Sequence, residues 1–496
     1  LYNSIIVTDY YNVNGFLRIA SPRLTPINAK MNQDYGGGVE SGYGWQVQMV
    51  SLVLGVGLAG QAVARLRQAQ GIPVVVQDEQ DGAQQRERAA ALVGIPCQVG
   101  RPFALPRAGT EITEIIVSPG ISWQHPFLLR ARDMGIPVRG EAEVAWQVLG
   151  HLPWMGITGT NGKTTTTALV AAMLRAAGLT APACGNIGVA LAEVARQVVQ
   201  GEQHPDWIVA ELSSYQIEAA AAIAPRIGVW TTFTPDHLER HGSLERYAQI
   251  KASLLYQSQD AVLNGDDPYL WQHRSAWPQA SWVKAEKEEG VCAWISGSHL
   301  CRLDRDPLAL GDFSQRLPGG HNLQNLLLAV QAATLAGIPD QAIQTAMDTF
   351  AGVPHRLETV RHQGGIRWIN DSKATNYEAA WVGLNAVTEP VIVIAGGKPK
   401  IGADQAWLDL IRRKAARVIV FGEAKTQFAQ RLKEVGYEAV EVVDTLVEAV
   451  PLAYNHAQSL APCTVLFSPA CASFDQYANF EQRGQHFREC CYALDG

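Results

Sequence analysis

The apolar positions of this chain fall into two alternating rhythms, and the alternation begins only near residue 50. Before it, residues 1–48 are rich in Tyr, Asn, Gly and Ser, include Gly36-Gly37-Gly38, and sustain neither a two-residue nor a 3.6-residue period. A poorly structured N-terminal extension is expected there. Then a β-branched run at 50–54, helical spacing at 59–70 and a second run at 74–77 make a strand–helix–strand unit, which continues through 115–117 and ends in a helical stretch at 141–149. His151-Leu152-Pro153 breaks the pattern, so a boundary is expected near 150.

The alternation restarts with a strand at 154–157, a helix at 163–177, and strands at 207–210 and 227–232. Short strands and turns fill 261–315, helical spacing returns at 322–336 and 341–350, and Ala351-Gly352-Val353-Pro354 reads as a second hinge. A third round carries strands at 367–369, 391–395, 417–421 and 464–467. The pattern predicts an α/β protein of three domains, at 49–150, 151–352 and 353–496, after the extension at 1–48. The length of 496 residues agrees with this, since a domain averages ~150.

Composition narrows the functional classes. Forty basic against forty-seven acidic side chains give a net charge of −7, so no broad positive field is available for a nucleic acid. No apolar run approaches the ~20 residues of a membrane helix, so no membrane insertion and a cytoplasmic location are expected. The eight cysteines show no CxxC pair or zinc-like spacing, and free, mostly buried thiols are expected.

Two glycine-rich turns sit between a strand and a helix. Gly55-Val56-Gly57-Leu58-Ala59-Gly60, with Asp78 closing the next strand, has the form of a dinucleotide-binding turn, although a chain with 45 glycines supplies roughly 0.4 such matches by chance. Gly159-Thr160-Asn161-Gly162-Lys163-Thr164-Thr165 is far more specific. Its backbone N–H groups can converge on phosphates at a helix N-terminus, Lys163 can reach the outer phosphates, and the Thr164 hydroxyl can ligate Mg²⁺. A nucleotide triphosphate is the expected occupant, although the leading glycine, Gly156, lies one residue too far from Gly162 for the strict form.

Glu211 and His237 follow two further strands, where a metal partner of such a loop belongs. Lys251 lies in a helical segment starting at Ser243 and on spacing alone reads as a solvated surface charge. Asn370-Asp371-Ser372-Lys373-Ala374-Thr375-Asn376 follows a strand, where helix capping by Asp371 or Ser372 competes with ligand binding. Ser468-Pro469-Ala470-Cys471-Ala472-Ser473, also after a strand, offers hydroxyls and N–H groups to a carboxylate.

Taken together, the loop 159–165, Glu211, His237, Leu317-Pro318-Gly319-Gly320-His321-Asn322, Pro354-His355-Arg356 and Asn370-Asp371-Ser372-Lys373 resemble the Mur ligase family of ATP-dependent amide-forming enzymes, over about residues 50–496. Residues 370–376, 468–477 and 479–484 look like the branch of that family that adds D-glutamate to UDP-N-acetylmuramoyl-L-alanine. The resemblance implies a Rossmann-like first domain, a central P-loop ATPase-like domain, and a Rossmann-like third domain that completes the ATP site. It places the UDP-substrate, rather than a nicotinamide nucleotide, against Leu58, Ala59, Asp78, Ser118, Gly120, Asn186 and His237. ATP falls to Gly159, Thr160, Asn161, Gly162, Lys163, Thr164, Thr165, Asn322, Asn325, Arg356, Asp371 and Lys373.

The resemblance further implies D-glutamate contacts from Thr375, Lys400, Ser473 and the backbone near Phe480. Two Mg²⁺ ions are expected, held by Thr164, Glu211, His237 and a carbamylated Lys251, with Lys163, Glu211, His237 and Lys251 in the catalytic set. The expected reaction makes an acyl phosphate and ADP, after which the D-glutamate amine displaces phosphate, in the synthesis of peptidoglycan by a monomer. Another amino acid or acceptor, as in folylpolyglutamate-type ligases, is the alternative.

Overall fold

The computed structural model describes residues 48–105, 110–399 and 402–495. Apart from Gln48, the extension expected at 1–48 lies outside them, and so does Lys400.

The first sheet contains β1 (Gln48–Leu54), β2 (Val74–Asp78), β3 (Cys97–Val99), β4 (Thr110–Val117) and β5 (Val138–Gly140), all parallel, in the order β3-β2-β1-β4-β5. In β1, Leu52, Val53 and Leu54 are wholly enclosed, because helices cover both faces of a parallel sheet and every side chain must be apolar or satisfied. The strand order reverses between β1 and β4, so the crevice at their carboxyl ends, where Gly55 turns into the helix Leu58–Ala69, is the place for a ligand.

Nine strands follow: β6 (Trp154–Thr158), β7 (Ala183–Gly185), β8 (Ile208–Glu211), β9 (Ile227–Trp230), β10 (Asp260–Asn264), β11 (Ser281–Val283), β12 (Val291–Ser296), β13 (His299–Arg302) and β14 (Arg305–Ala309). Their order is β14-β13-β12-β11-β10-β9-β6-β8-β7, antiparallel only at the β12–β13–β14 edge. β6 is buried throughout and lies between β8 and β9, so the turn after it opens between two other strand ends.

The third sheet joins β15 (Glu358–Gln363), β16 (Ile366–Asn370), β17 (Val391–Gly396), β18 (Ala415–Phe421), β19 (Val440–Val442) and β20 (Cys463–Phe467) in the order β15-β16-β20-β17-β18-β19, with only β15 antiparallel. One apolar core runs from the first sheet into the second: Val63 and Leu66 share a cluster with Val144, Leu149, Leu191 and Val194. The third sheet has cores of its own. Among the described residues no helix is long and apolar enough to cross a membrane.

Candidate functional site

The turn after β6 is shaped by two glycines. Gly159 has φ 149° and Gly162 φ 84°, and a Cβ at either would strike Thr231 Oγ1 or Asn325 Oδ1. The segment after β9 holds the turn open: Thr160 N donates to Thr232 O at 2.8 Å, Asn161 N to Thr232 Oγ1 at 2.9 Å, and Thr160 Oγ1 to Thr234 O at 3.1 Å. Lys163 begins the helix Lys163–Ala176 and folds back to donate to Gly159 O at 2.9 Å and Thr160 O at 2.8 Å. Burial lowers its pKa, opposed by nearby Glu211.

Glu211 ends β8 with a buried carboxylate. Its Oε1 accepts from Asn186 Nδ2 at 2.9 Å, while Oε2 is buried with no hydrogen-bond partner among the described residues. An enclosed carboxylate oxygen left open within electrostatic reach of Lys163 and Lys373 is chemically suited to a divalent cation. His237, at φ 54°, is half-exposed and pairs with Asp236 at 3.3 Å. Among the described residues no three His, Cys, Asp or Glu side chains gather as a metal cluster, and the expected set needs Thr164 and Lys251 as well.

Lys251 is 1% exposed, so the solvated-surface alternative is corrected: the helix Leu244–Gln257 turns it inward beneath the loop. Its Nζ donates to Gly159 O at 2.8 Å and Thr158 Oγ1 at 3.4 Å and lies over the Tyr247 ring. Burial, reinforced by Lys163, holds its pKa well below the ordinary lysine value. The neutral form of the amine is therefore far more accessible than for a lysine in water.

Two cavities meet at this loop. One, of about 240 Å³, is lined by Asn161, Gly162, Asn325, Arg356, Asp371 and Lys373, so the central sheet and the third sheet both face it. Arg356 Nε is buried there without a hydrogen-bond partner among the described residues. Asp371 accepts from Ser468 Oγ at 2.8 Å and Leu357 N at 3.3 Å, and burial pushes its pKa up to about 7. Asn322 does not line the cavity; its Nδ2 donates to Pro318 O at 2.9 Å, and it accepts weakly from Asn325. His321, Asp266 and Glu378 do line it, although no spacing argument singled them out as contacts. Burial lowers the His321 pKa to about 4, so its ring is neutral.

The second cavity, of about 510 Å³, brings Leu58, Ala59 and Pro119 from the first sheet together with Thr164, Asn186, Lys373 and Phe480. Asp78, Ser118 and Gly120 are not on its lining. Asp78 instead fastens the glycine turn, accepting from Val56 N and Gln80 N at 2.9 Å each, and Ser118 Oγ donates to Gly55 O at 3.3 Å. Lys373 joins the two cavities: Nζ donates to Thr164 Oγ1 at 2.6 Å, and burial lowers its pKa to about 8.

At the carboxyl ends of β16 and β20, Thr375 and Ser473 lie on loops and Phe480 opens the helix Phe480–Tyr492, and Arg483 clips these segments together. This fully buried guanidinium donates to Ser372 Oγ at 3.0 Å, Ser372 O at 2.7 Å, Cys471 O at 3.0 Å and Ala472 O at 3.1 Å, and Ser372 Oγ donates on to Phe480 O at 2.8 Å. No disulfide joins the eight cysteines, of which four are buried and four half-buried.

The chain matches three family models: a Mur ligase MurD-like N-terminal domain over 49–140, a Mur ligase middle domain over 157–333, and a Mur ligase glutamate ligase domain over 355–471. It is 53% identical over 486 residues to the UDP-N-acetylmuramoylalanine–D-glutamate ligase of Synechococcus sp. (strain JA-2-3B'a(2-13)), covering 90% of this chain and 98% of that relative. Among solved structures it is similar in fold to the UDP-N-acetylmuramate–alanine ligase of Thermotoga maritima, with TM-score 0.59 at 20% identity over 90% of this chain and 100% of that one. The MurF ligase of Thermotoga maritima, solved in complex with ADP, gives TM-score 0.55 at 15% identity over 85% and 96%.

Proposed function

This chain belongs to the Mur ligase family, and we propose that it joins D-glutamate to the alanyl carboxylate of UDP-N-acetylmuramoyl-L-alanine, converting ATP to ADP and phosphate, as a cytoplasmic monomer supplying peptidoglycan synthesis. The domains are taken as 49–150 for the UDP-substrate, 151–352 for ATP, and 353–496 for the amino acid and the far wall of the ATP site. One observation carries the reading: the Lys373–Thr164 contact of 2.6 Å lies where both cavities meet, so segments from all three sheets converge at one point.

In this reading Thr160, Asn161, Gly162, Thr164 and Thr165 form the phosphate cradle, and Asn325, with Asn322 behind it, meets the adenine side. Arg356 and Asp371 face the rest of the nucleotide. Leu58, Ala59, Asp78, Ser118, Gly120, Asn186 and His237 serve the UDP-substrate, and Thr375, Lys400, Ser473 and Phe480 the D-glutamate.

A carboxylate approaching a γ-phosphoryl group brings like charges together, and each unit pair at 4 Å repels by about 4 kcal/mol at an effective dielectric of 20. Lys163 and Lys373 flank the loop and reduce that barrier. Thr164 and the open Glu211 Oε2 fit one magnesium ion, and Glu211, His237 and a carbamylated Lys251 a second. Bound magnesium supplies further neutralisation of phosphoryl charge. Carbamylation requires the neutral amine, and burial shifts Lys251 toward that form.

The acceptor carboxylate takes the γ-phosphoryl group, giving an acyl phosphate and ADP. The neutral D-glutamate amine then attacks that carbonyl, loses a proton, and expels phosphate. Acceptor labelled with ¹⁸O in the alanyl carboxylate is expected to pass one labelled oxygen to the released phosphate. Unlabelled phosphate would rule out the acyl phosphate.

A further inference from the structure

We propose that Glu141 is a positioning residue: from the first domain it holds the loop 185–190 of the second, and so sets where the UDP-substrate's acyl end lies relative to the phosphate-binding turn. This rests on the function proposed above.

Glu141 opens the helix Glu141–Leu149 and is 2% exposed, yet among the described residues no cation pairs with it. Its carboxylate accepts the Ala192 N–H at 2.6 Å, with the Leu191 N–H and the Gln216 side chain, both neutral, close enough to favour its charged form. Leu191 and Ala192 are the first two residues of the helix Leu191–Val199, whose own N-cap position is Ala190 and makes no side-chain cap. A helix N-terminus leaves its first N–H groups without intrahelical partners, and alanine is among the poorest residues for satisfying them. Here the cap comes from another domain.

The loop before that helix is fastened at both ends. At its start, Asn186 N donates to Glu211 O and Asn186 Nδ2 to Glu211 Oε1, each at 2.9 Å. At its end, Glu141 accepts the N–H of Ala192, with the Leu191 N–H beside it. Gln216 uses its Oε1 for Ser213 N and Oγ at 3.0 Å each, which leaves its amide for Glu141.

The seam beside Glu141 is tight as well. Gly140 N donates to Ala219 O at 2.6 Å, and a Cβ on Gly140 would lie 2.8 Å from that of Ala219. Glu141, Asn186, Ala190 and Gln216 line the same cavity as Leu58 and Ala59. The span from the first-domain turn to Glu211 is therefore fixed through this carboxylate.

The test is steady-state phosphate release by the full chain, reading KM separately for UDP-N-acetylmuramoyl-L-alanine, ATP and D-glutamate. Glu141→Ala, and Glu141→Asp, which is one methylene too short, are expected to raise the KM of the UDP-substrate at least about tenfold, with the other two KM values within about twofold. Glu141→Gln still presents a carbonyl oxygen to the Ala192 N–H and is expected to recover most of the loss. An unchanged KM for the UDP-substrate, equal increases in all three, or a Glu141→Gln as impaired as Glu141→Asp would overturn the assignment. Should Glu141→Ala not fold, Glu141→Asp and Glu141→Gln decide. Wild-type protein whose phosphate release ignores the UDP-substrate would instead overturn the proposed function, leaving the two failures distinguishable.

Discussion

Replacing Arg483 by methionine removes a side chain that ties 372, 471 and 472 together. Ala472 O keeps a second donor, Lys398 N at 2.8 Å, whereas Ser372 O and Cys471 O lose the guanidinium that serves them. Depriving a buried carbonyl of its donor costs about 1–3 kcal/mol, and removing a cation whose own burial is unfavourable offsets part of the sum. A net local destabilisation of about 2–4 kcal/mol follows, equivalent to about 30- to 700-fold faster exchange of amide hydrogens that open with this region. Hydrogen exchange of the full chain, read by mass spectrometry, is the assay: segments 463–473 and 480–492 should lose protection, while 154–176 should not. The KM for D-glutamate should rise with it, because Ser473 and Phe480 ride on the clipped segments, and Arg483→Lys should fall between wild type and Arg483→Met. Unchanged protection at 463–473, or equal loss across all three sheets, would refute the clip.

Lys163→Met removes a unit charge from the phosphate turn, and at about 4 kcal/mol the expected loss in kcat/KM for ATP is on the order of a thousandfold, with a decrease under tenfold counting against the assignment. The kcat/KM for ATP should be bell-shaped in pH, rising as Asp371 ionises near 7 and falling as Lys373 deprotonates near 8, and Lys373→Arg should move only the alkaline limb upward. Stability moves the other way on that limb: the burial penalty on charged Lys373 is present below about 8 and fades as pH rises toward the ordinary 10.5, so the stability gap between Lys373→Met and wild type should narrow there in pH-dependent urea unfolding. Gly162→Ala meets both the φ of 84° and the Asn325 side chain, and should weaken ATP binding in calorimetry while lowering stability by about 1–2 kcal/mol.

The long buried strands were legible in the sequence because a parallel strand covered on both faces is written as a nearly continuous apolar run, as in β6 and β17 and, broken only by Ser51, in β1. The three-residue strands β3, β5 and β7 were not, since so short a segment carries no period. β15 hid for another reason: Glu358, Arg361 and Gln363 give an edge strand a polar face that resembles a loop. The phosphate turn announced itself because its glycines are needed for backbone geometry, and a backbone requirement leaves a fixed residue type. Glu141, Lys251 and Arg483 left no such mark. Each is a charged residue in a helix, and periodicity places such residues in water; only tertiary packing reveals that all three point inward and bond chiefly to backbone groups.

The most direct test of the account supplies purified protein with MgATP and UDP-N-acetylmuramoyl-L-alanine and compares D-glutamate with L-glutamate, L-alanine and L-lysine, measuring phosphate together with the mass of the product. Phosphate release matched by one new amide, with D-glutamate alone, is the predicted result. Release that needs no amino acid, or an equal yield with L-lysine, would contradict it.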